Sequence, residues 1–408
     1  MECRHCGNKL TKIFADLGKP PLSNSYLTST DLKEVEKCYP LRVMVCEECW
    51  LVQTEKFVEV KQIFTEDYAY FSSFSTSWLD HTRKYVDQIT IMLALDKGSM
   101  VVEIGANDGY LLQYLLKKGI PCYGIEPTHS TAEAARKKNL DIIEDFFDTA
   151  KAKELADQKR QADLIIANNV LAHVPDINNF VKGFSVLLNP NGVATFEFPH
   201  LLNLVQFNQF DTIYHEHYSY LSFTAALNIF TSNDLAVFKV EELSTHGGSL
   251  RLYAQRADSG KRAQENSVER LVEKEADAGM TTAAFYSGFQ NRANAIKEDF
   301  NSFLQNAKKE GEKVVGYGAA AKGNTLMNFA GVDSDLISYV IDRNPAKRNK
   351  FLPGSKIPVV SEDRLKSDRP KYVVIFPWNL KEEIVEQLSY IREWNGKFLT
   401  SVPKLKVE

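Results

Sequence analysis

The densest run of reactive side chains is Tyr214-His215-Glu216-His217-Tyr218, where two imidazoles, a carboxylate and two phenols fall within five residues. Such a set can supply a general base and the groups that orient it. In an extended segment His215 and His217 would share one face while Glu216 points away, so only part of the cluster would meet one substrate atom. His173 stands apart, four residues beyond Asn169. Four of the six cysteines form two Cys-x-x-Cys pairs, Cys3/Cys6 and Cys46/Cys49. In a reducing compartment this spacing favours a metal over disulfides. Four thiolates fill a tetrahedral zinc site and leave no open coordination position, so the zinc would be structural. His5 and His215 could also ligate, although neither is needed to complete the set.

A third pattern is Val101-Val102-Glu103-Ile104-Gly105-Ala106-Asn107-Asp108-Gly109, an apolar run that ends in a glycine turn and leads into a helix. Glycine lets the backbone approach a ligand closely, and open parallel sheets bind ligands at the carboxyl ends of their strands. Glu103 is placed to meet a cationic amino-acid group. Glu126-Pro127 follows about 20 residues on, where a carboxylate can accept hydrogen bonds from a ribose diol. Asp145-Phe146 offers an acceptor for an adenine amino group and a ring to pack on the base, and Asn168-Asn169 completes the set.

These groups need a scaffold. Apolar periodicity predicts a helix over 76–95, then strands at 100–104, 122–125, 140–143, 163–167 and 192–198, with helices at 110–118 and 130–138 between them. This alternation implies a parallel sheet with helices on both faces. A charged helical stretch over 263–309, broken near Gly279, leads to a second α/β unit. Its strands are expected at 313–316, 337–341 and 372–375, and its helices at 322–329 and 380–391. The expected organisation is a zinc-binding domain over 1–75, a cofactor domain over 76–262 and a Rossmann-like α/β domain with a helical linker over 263–408.

Composition narrows the class. The charged fraction is 25%, the net charge is −4 and no long basic block occurs, which argues against a nucleic-acid partner. No run of about 18 apolar residues is present, so no membrane span is expected. The N-terminus lacks the basic start and apolar core of a secretion signal, so the expected location is the cytoplasm.

Gly316-x-Gly318-x-x-Ala321, with Asp342 after the next strand, fits a dinucleotide fingerprint. Lys322 and Asn324 beside that turn could instead hold a diphosphate, whose charge suits a helix N-terminus. The 342–347 run reads equally as a charged loop or a ligand rim.

The form Glu103-x-Gly105-x-x-x-Gly109 resembles class I S-adenosylmethionine-dependent methyltransferases. The whole chain resembles the sugar C-methyltransferases that act on nucleotide-linked 4-keto deoxysugars. That resemblance rests on Cys3 through Pro377-Trp378-Asn379-Leu380, including Tyr68-x-Tyr70-x-Ser72-Ser73, Asn169-x-x-x-His173, Tyr214-His215-Glu216-His217 and His246-Gly247-Gly248-Ser249-x-Arg251. It implies a zinc domain, a central class I domain and a Rossmann-like C-terminal domain that helps hold the nucleotide sugar. It also implies a reaction in which a base removes the C3 proton beside a C4 ketone and the enolate carbon takes the methyl group. On this reading His217 is the base, with Tyr214 and Glu216 orienting it or the sugar. His173 and the Tyr68, Tyr70 and Ser72 region would contact the sugar or the developing enolate oxygen, while Lys322, Asn324, Asp342 and Arg343 would hold its nucleotide, usually thymidine diphosphate. A monomer is expected, because three domains can enclose a site unaided. A zinc-ribbon interaction protein, a nicotinamide-dependent sugar oxidoreductase and an O- or N-methyltransferase are the alternatives.

Overall fold

The computed structural model describes residues 1–55, 57–58 and 70–408. Strands β1 (Lys12–Asp16), β2 (Arg42–Val45) and β3 (Val52–Thr54) form an antiparallel meander. The turn between β2 and β3 carries Cys46 and Cys49, and a turn before β1 carries Cys3 and Cys6.

The helix Thr76–Met92 follows, N-capped by the Ser75 side chain, which accepts from the Trp78 amide. Parallel strands β4 (Val101–Ile104), β5 (Cys122–Ile125), β6 (Asp141–Ile143), β7 (Ala162–Asn168) and β8 (Leu188–Pro199) build the central sheet. Near-continuous apolar runs such as Val-Val-Glu-Ile in β4 are what strands covered on both faces require. The short strand β9 (Ser219–Tyr220) leaves this unit and pairs with β3. β10 (Leu235–Leu243) and β11 (Ser249–Arg256) then return as an antiparallel hairpin beside β8. The resulting order, β10-β11-β8-β7-β4-β5-β6, reverses direction between β4 and β7.

Helices Asn266–Asp277, Ala283–Tyr286 and Phe289–Lys309 lead onward, with Gly279 in a left-handed turn at the expected break. They are more than a linker. Phe289 stacks on Phe14 of β1 at 4.4 Å, and Trp50 stacks on Tyr286 at 5.8 Å. Glu275 reaches back to accept from the Phe223 and Thr224 amides at the start of the helix Phe223–Ser232.

The third sheet comprises β12 (Val314–Tyr317), β13 (Val340–Ile341), β14 (Val359–Val360), β15 (Tyr372–Ile375), β16 (Lys397–Thr400) and β17 (Lys406–Val407). Its order is β14-β13-β12-β15-β16-β17, and only β17 is antiparallel. This too is a doubly wound sheet, with its switch point between β12 and β15. One apolar core joins Phe14, Val43 and Val45 to Leu201, Phe210, Val314 and Phe376, welding the N- and C-terminal sheets together. Among the described residues no helix is long and apolar enough to cross a membrane.

Several sequence boundaries shift. β8 begins at Leu188 rather than 192, and the hairpin β10–β11 is an addition to the expected strands. The helix expected over 380–391 is two pieces, an α-helix Lys381–Gln387 and a tighter 3-10 turn Ser389–Trp394.

Candidate active site

The carboxyl ends of both parallel sheets open into one cavity of about 880 Å³. Its wall takes residues from the turns after β4, β5, β6, β7 and β8 on one side, and from those after β12, β13 and β15 on the other. Open parallel sheets bind ligands at the carboxyl ends of their strands beside the switch point, and two such points face this cavity.

On the central side, Gly105, Asn107, Glu126, Pro127, Asp145, Phe146, Asn168 and Asn169 line the cavity. Gly105 has φ of +70°, and a β-carbon there would sit 2.5 Å from Val170, so the turn needs glycine. Glu126 accepts from the Asn107 and Thr128 amides at 2.9 and 3.0 Å, which ties the β5 turn to the β4 turn. Asp145 pairs with Lys151 at 2.8 Å. Glu103, Ala106 and Gly109 are not on the wall, contrary to their reading as direct contacts. Glu103 points inward from β4 and is fully buried; burial lifts its pKa well above the usual carboxylate range, against a smaller opposing effect from Tyr110. Gly109 serves packing: a β-carbon there would lie 2.2 Å from Leu140. Asn168 buries both side-chain polar atoms without a protein hydrogen bond, and Asn169 buries its Oδ1 likewise. Such orphaned atoms on a cavity wall call for a polar ligand.

The His–Glu–His segment is a turn, not an extended strand. The His217 amide donates to the Tyr214 carbonyl at 2.9 Å, so His215 and Glu216 occupy the corner. His215 therefore points away and hydrogen-bonds the Tyr39 carbonyl, while Tyr214, Glu216 and His217 all reach the cavity. The expectation that Glu216 turns from His217's face is corrected accordingly. Glu216 accepts from Asn24 of the N-terminal unit at 2.5 Å. His217 Nδ1 lies 2.9 Å from the Thr212 carbonyl; donation there leaves Nε2 with its lone pair. Tyr214 covers the His217 ring at 4.0 Å and His173 meets it edge-on at 4.7 Å. Burial, reinforced by His173, drives the His217 pKa well below 6.5, and burial takes His173 to about 4. Both imidazoles are neutral at pH 7.

On the C-terminal side Lys322, Asp342, Arg343 and Lys347 line the cavity. Lys322 donates to Asn379 at 2.6 Å and lies 4.4 Å over the Trp378 ring. Burial lowers its pKa to about 8, against a smaller opposing pull from Asp211. Asp342 accepts from the Ala319 and Asn344 amides, both at 2.8 Å, repeating the role of Glu126 in the other sheet. Asn324 is off the wall: its amide donates to the Ser23 carbonyl at 2.5 Å and ties the helix Ala321–Ala330 to the N-terminal unit. Ser72 and Tyr70 line the cavity, the Ser72 amide donating to Asn107 at 2.9 Å. Tyr68 lies outside the described residues.

The four cysteines expected to bind zinc converge, their sulfurs all within 4.8 Å of one another. Cys3 and Cys49 are 3.5 Å apart and Cys6 and Cys46 3.6 Å, close to the ~3.8 Å edge of a tetrahedron with Zn–S of ~2.3 Å. His5 instead contacts Asn178 at 2.9 Å. The donors fit a structural zinc, and the centre is linked to the turn at 214–217. Gln53 donates to Cys3 Sγ at 3.2 Å, Arg4 donates to the Tyr218 carbonyl at 3.0 Å, and Thr54 Oγ donates to the His217 carbonyl at 3.0 Å.

Lys347, left open in the sequence between charged loop and ligand rim, lines the wall; sequence reasoning missed His246 as a wall residue and Asn24 as the partner of Glu216. It also missed the buried ion group behind the wall, in which Glu197 accepts from Arg251 at 2.6 Å and contacts His81 at 2.9 Å. Burial alone would raise the Glu197 pKa, but the hydrogen bond to His81 and the Arg251 charge hold it at about 2. Alternation in β8 and β11 could have flagged Glu197 and Arg251, since a charge inside an apolar strand demands a partner.

A strand-order switch with a glycine turn after β4 and an acidic residue after each of β5 and β6, beside a closed thiolate centre, defines a zinc-bearing S-adenosylmethionine-dependent methyltransferase of class I architecture. Family models agree segment by segment: a zinc binding domain over residues 3–64, a methyltransferase domain over 78–240 and a C-methyltransferase C-terminal domain over 244–403. The chain is 32% identical over 406 residues to the C-methyltransferase NovU of Streptomyces niveus, covering 100% of this chain and 96% of that one, and it belongs to the C-methyltransferase family. A ubiquinone biosynthesis O-methyltransferase of Azorhizobium caulinodans is 28% identical over 98 residues, 24% of this chain and 39% of that one. Among solved structures, magnesium protoporphyrin IX methyltransferase of Synechocystis with bound SAM aligns at 17% identity and a TM-score of 0.35, covering 50% of this chain and all of that one.

Proposed function

We propose that this enzyme methylates C3 of a nucleotide-linked 4-keto-6-deoxyhexose, most simply a thymidine-diphosphate sugar. The observation that carries the reading is the single cavity shared by two strand-end crevices. One of them belongs to the methyltransferase sheet and suits the methyl donor. The other, with Lys322, Asp342 and Arg343 on its rim, suits a nucleoside diphosphate. The acceptor sugar would then lie between them, beside Tyr70, Ser72, Tyr214, Glu216 and His217.

S-adenosylmethionine, when bound, supplies an electrophilic methyl group. The chain's task is to make a nucleophile of C3. His217 Nε2 takes the C3 proton, and the electron pair moves onto the C4 oxygen as the enolate. Donation from Nδ1 to Thr212 fixes the tautomer and steadies the imidazolium that forms. Tyr214 and the Asn24-held Glu216 fix the ring and the sugar, and His173 packs edge-on against the His217 ring. Cys3, Cys6, Cys46 and Cys49, which would hold zinc, lie off the cavity wall, so a bound metal would support the fold around the turn.

Proton NMR of a thymidine-diphospho-4-keto-6-deoxyhexose in deuterated buffer with enzyme and S-adenosylmethionine tests this. A new methyl singlet at C3 is expected. Methyl transfer to oxygen or nitrogen, or none, overturns it.

A further inference from the structure

His246 belongs to a segment that no step above uses, yet the fold spends much on placing it. It has φ of +53°, in the left-handed region, followed by Gly247 at +86° and Gly248 at +113°. A non-glycine residue there persists only when its surroundings over-determine it, and such residues cluster at active sites. The surroundings do so here. Thr245 Oγ donates to Glu197 Oε1 at 2.8 Å, so the buried Glu197–Arg251–His81 group anchors the loop from below. Gln209 donates to the Gly247 carbonyl at 2.8 Å, and the His200 amide donates to the Gly248 carbonyl at 3.0 Å. Neither glycine tolerates a side chain: β-carbons would meet Trp378 at 2.5 Å and Asn203 at 2.2 Å.

This clamp delivers the His246 ring to the cavity wall, 5.1 Å from Trp78. Its Nε2 lies 3.2 Å from Asn169 Nδ2, at the end of β7 and so on the methyl-donor side. With Nε2 accepting from Asn169, the ring proton sits on Nδ1 and remains available as a donor. Burial lowers the His246 pKa to about 4, so the ring is neutral at pH 7.

The geometry points to His246 as a catalytic residue that donates a hydrogen bond to the acceptor's C4 oxygen as negative charge develops there. The inference rests on the proposed ketone chemistry. Removal of the C3 proton by His217 sends an electron pair to that oxygen, and a fixed donor aimed at it lowers the barrier most. No proton leaves His246. A neutral imidazole is a suitable donor, because it matches the weak acidity of an enol better than an imidazolium does.

Exchange of the C3 proton isolates this step from methyl transfer. Enzyme, S-adenosylhomocysteine and the 4-keto sugar in D2O should wash deuterium into C3. His246→Leu should slow both this exchange and methylation turnover by the same factor, roughly 10²–10³. Its calorimetric Kd for S-adenosylmethionine should match wild type, which also shows that the variant is folded. His246→Gln, which keeps an N–H donor, should recover part of both rates. Wild-type exchange in His246→Leu, or a loss accounted for by weaker cofactor binding, overturns the assignment. If wild-type enzyme itself exchanges no C3 proton, the ketone chemistry fails first and this role falls with it.

Discussion

Removing Lys322 should separate the two substrates. Its ammonium is already stripped of water in the free enzyme, held by Asn379 and the Trp378 face, with burial bringing its pKa to about 8. A phosphate charge at ~4 Å in surroundings of effective dielectric ~20 is worth about 4 kcal/mol. Attraction to Asp211 offsets part of this, leaving about 3 kcal/mol. Lys322→Ala should therefore raise KM for the nucleotide sugar on the order of 100-fold and leave KM for S-adenosylmethionine near wild type. The sign of the pH effect follows from the lowered pKa. The charged amine is present below about pH 8 and lost above it. Wild-type KM for the sugar should thus climb by about tenfold per unit above that point, and the variant should show no such climb. Initial rates with each substrate varied from pH 7 to 9.5 decide it. Equal effects on both KM values, or a flat wild-type profile, refute the reasoning.

His217→Asn should cut turnover by roughly 10²–10⁴ or more with calorimetric cofactor affinity unchanged. Because burial and His173 lower the His217 pKa, the base stays neutral to lower pH, and the acid limb of kcat/KM should fall below the ordinary histidine value of about 6.5. Atomic absorption should find one zinc per chain. Chelation should lower methylation, because Gln53, Thr54 and Arg4 tie the thiolate centre to the backbone at His217 and Tyr218. Gly109→Ala should lower the urea midpoint, with about 1–2 kcal/mol from left-handed backbone and about 1–3 kcal/mol from collision with Leu140.

The parts written in short-range pattern were legible. β5 and β15 fall at their expected bounds because apolar runs buried on both faces leave little choice. The cysteine knuckles and the glycine turn were readable because their chemistry fixes spacing. The hairpin β10–β11 was harder: β10 is an edge strand of mixed pattern, and β11 carries Ser249, Arg251 and Gln255 buried beside β8, which only the assembled sheet reveals. The bend at Tyr214–His217 carries no glycine or proline and is imposed by packing between β3 and the cavity. Asn324 shows the limit of motif reading. One helix start presents Lys322 to the cavity and Asn324 to Ser23, since residues two apart face different ways on a helix.

The pairing of β9 with β3 bears on how this enzyme can be taken apart or recombined. The strand that follows His217 completes the sheet of the zinc unit, two residues downstream of the proposed base. A methyltransferase core cut out at the usual strand boundaries would keep the cofactor turns and lose the frame that holds His217. Chimeras that exchange only the central unit between relatives would inherit a binding site with an unset catalytic turn. The portable piece is the zinc unit together with 214–220, two segments far apart in the chain that behave as one part.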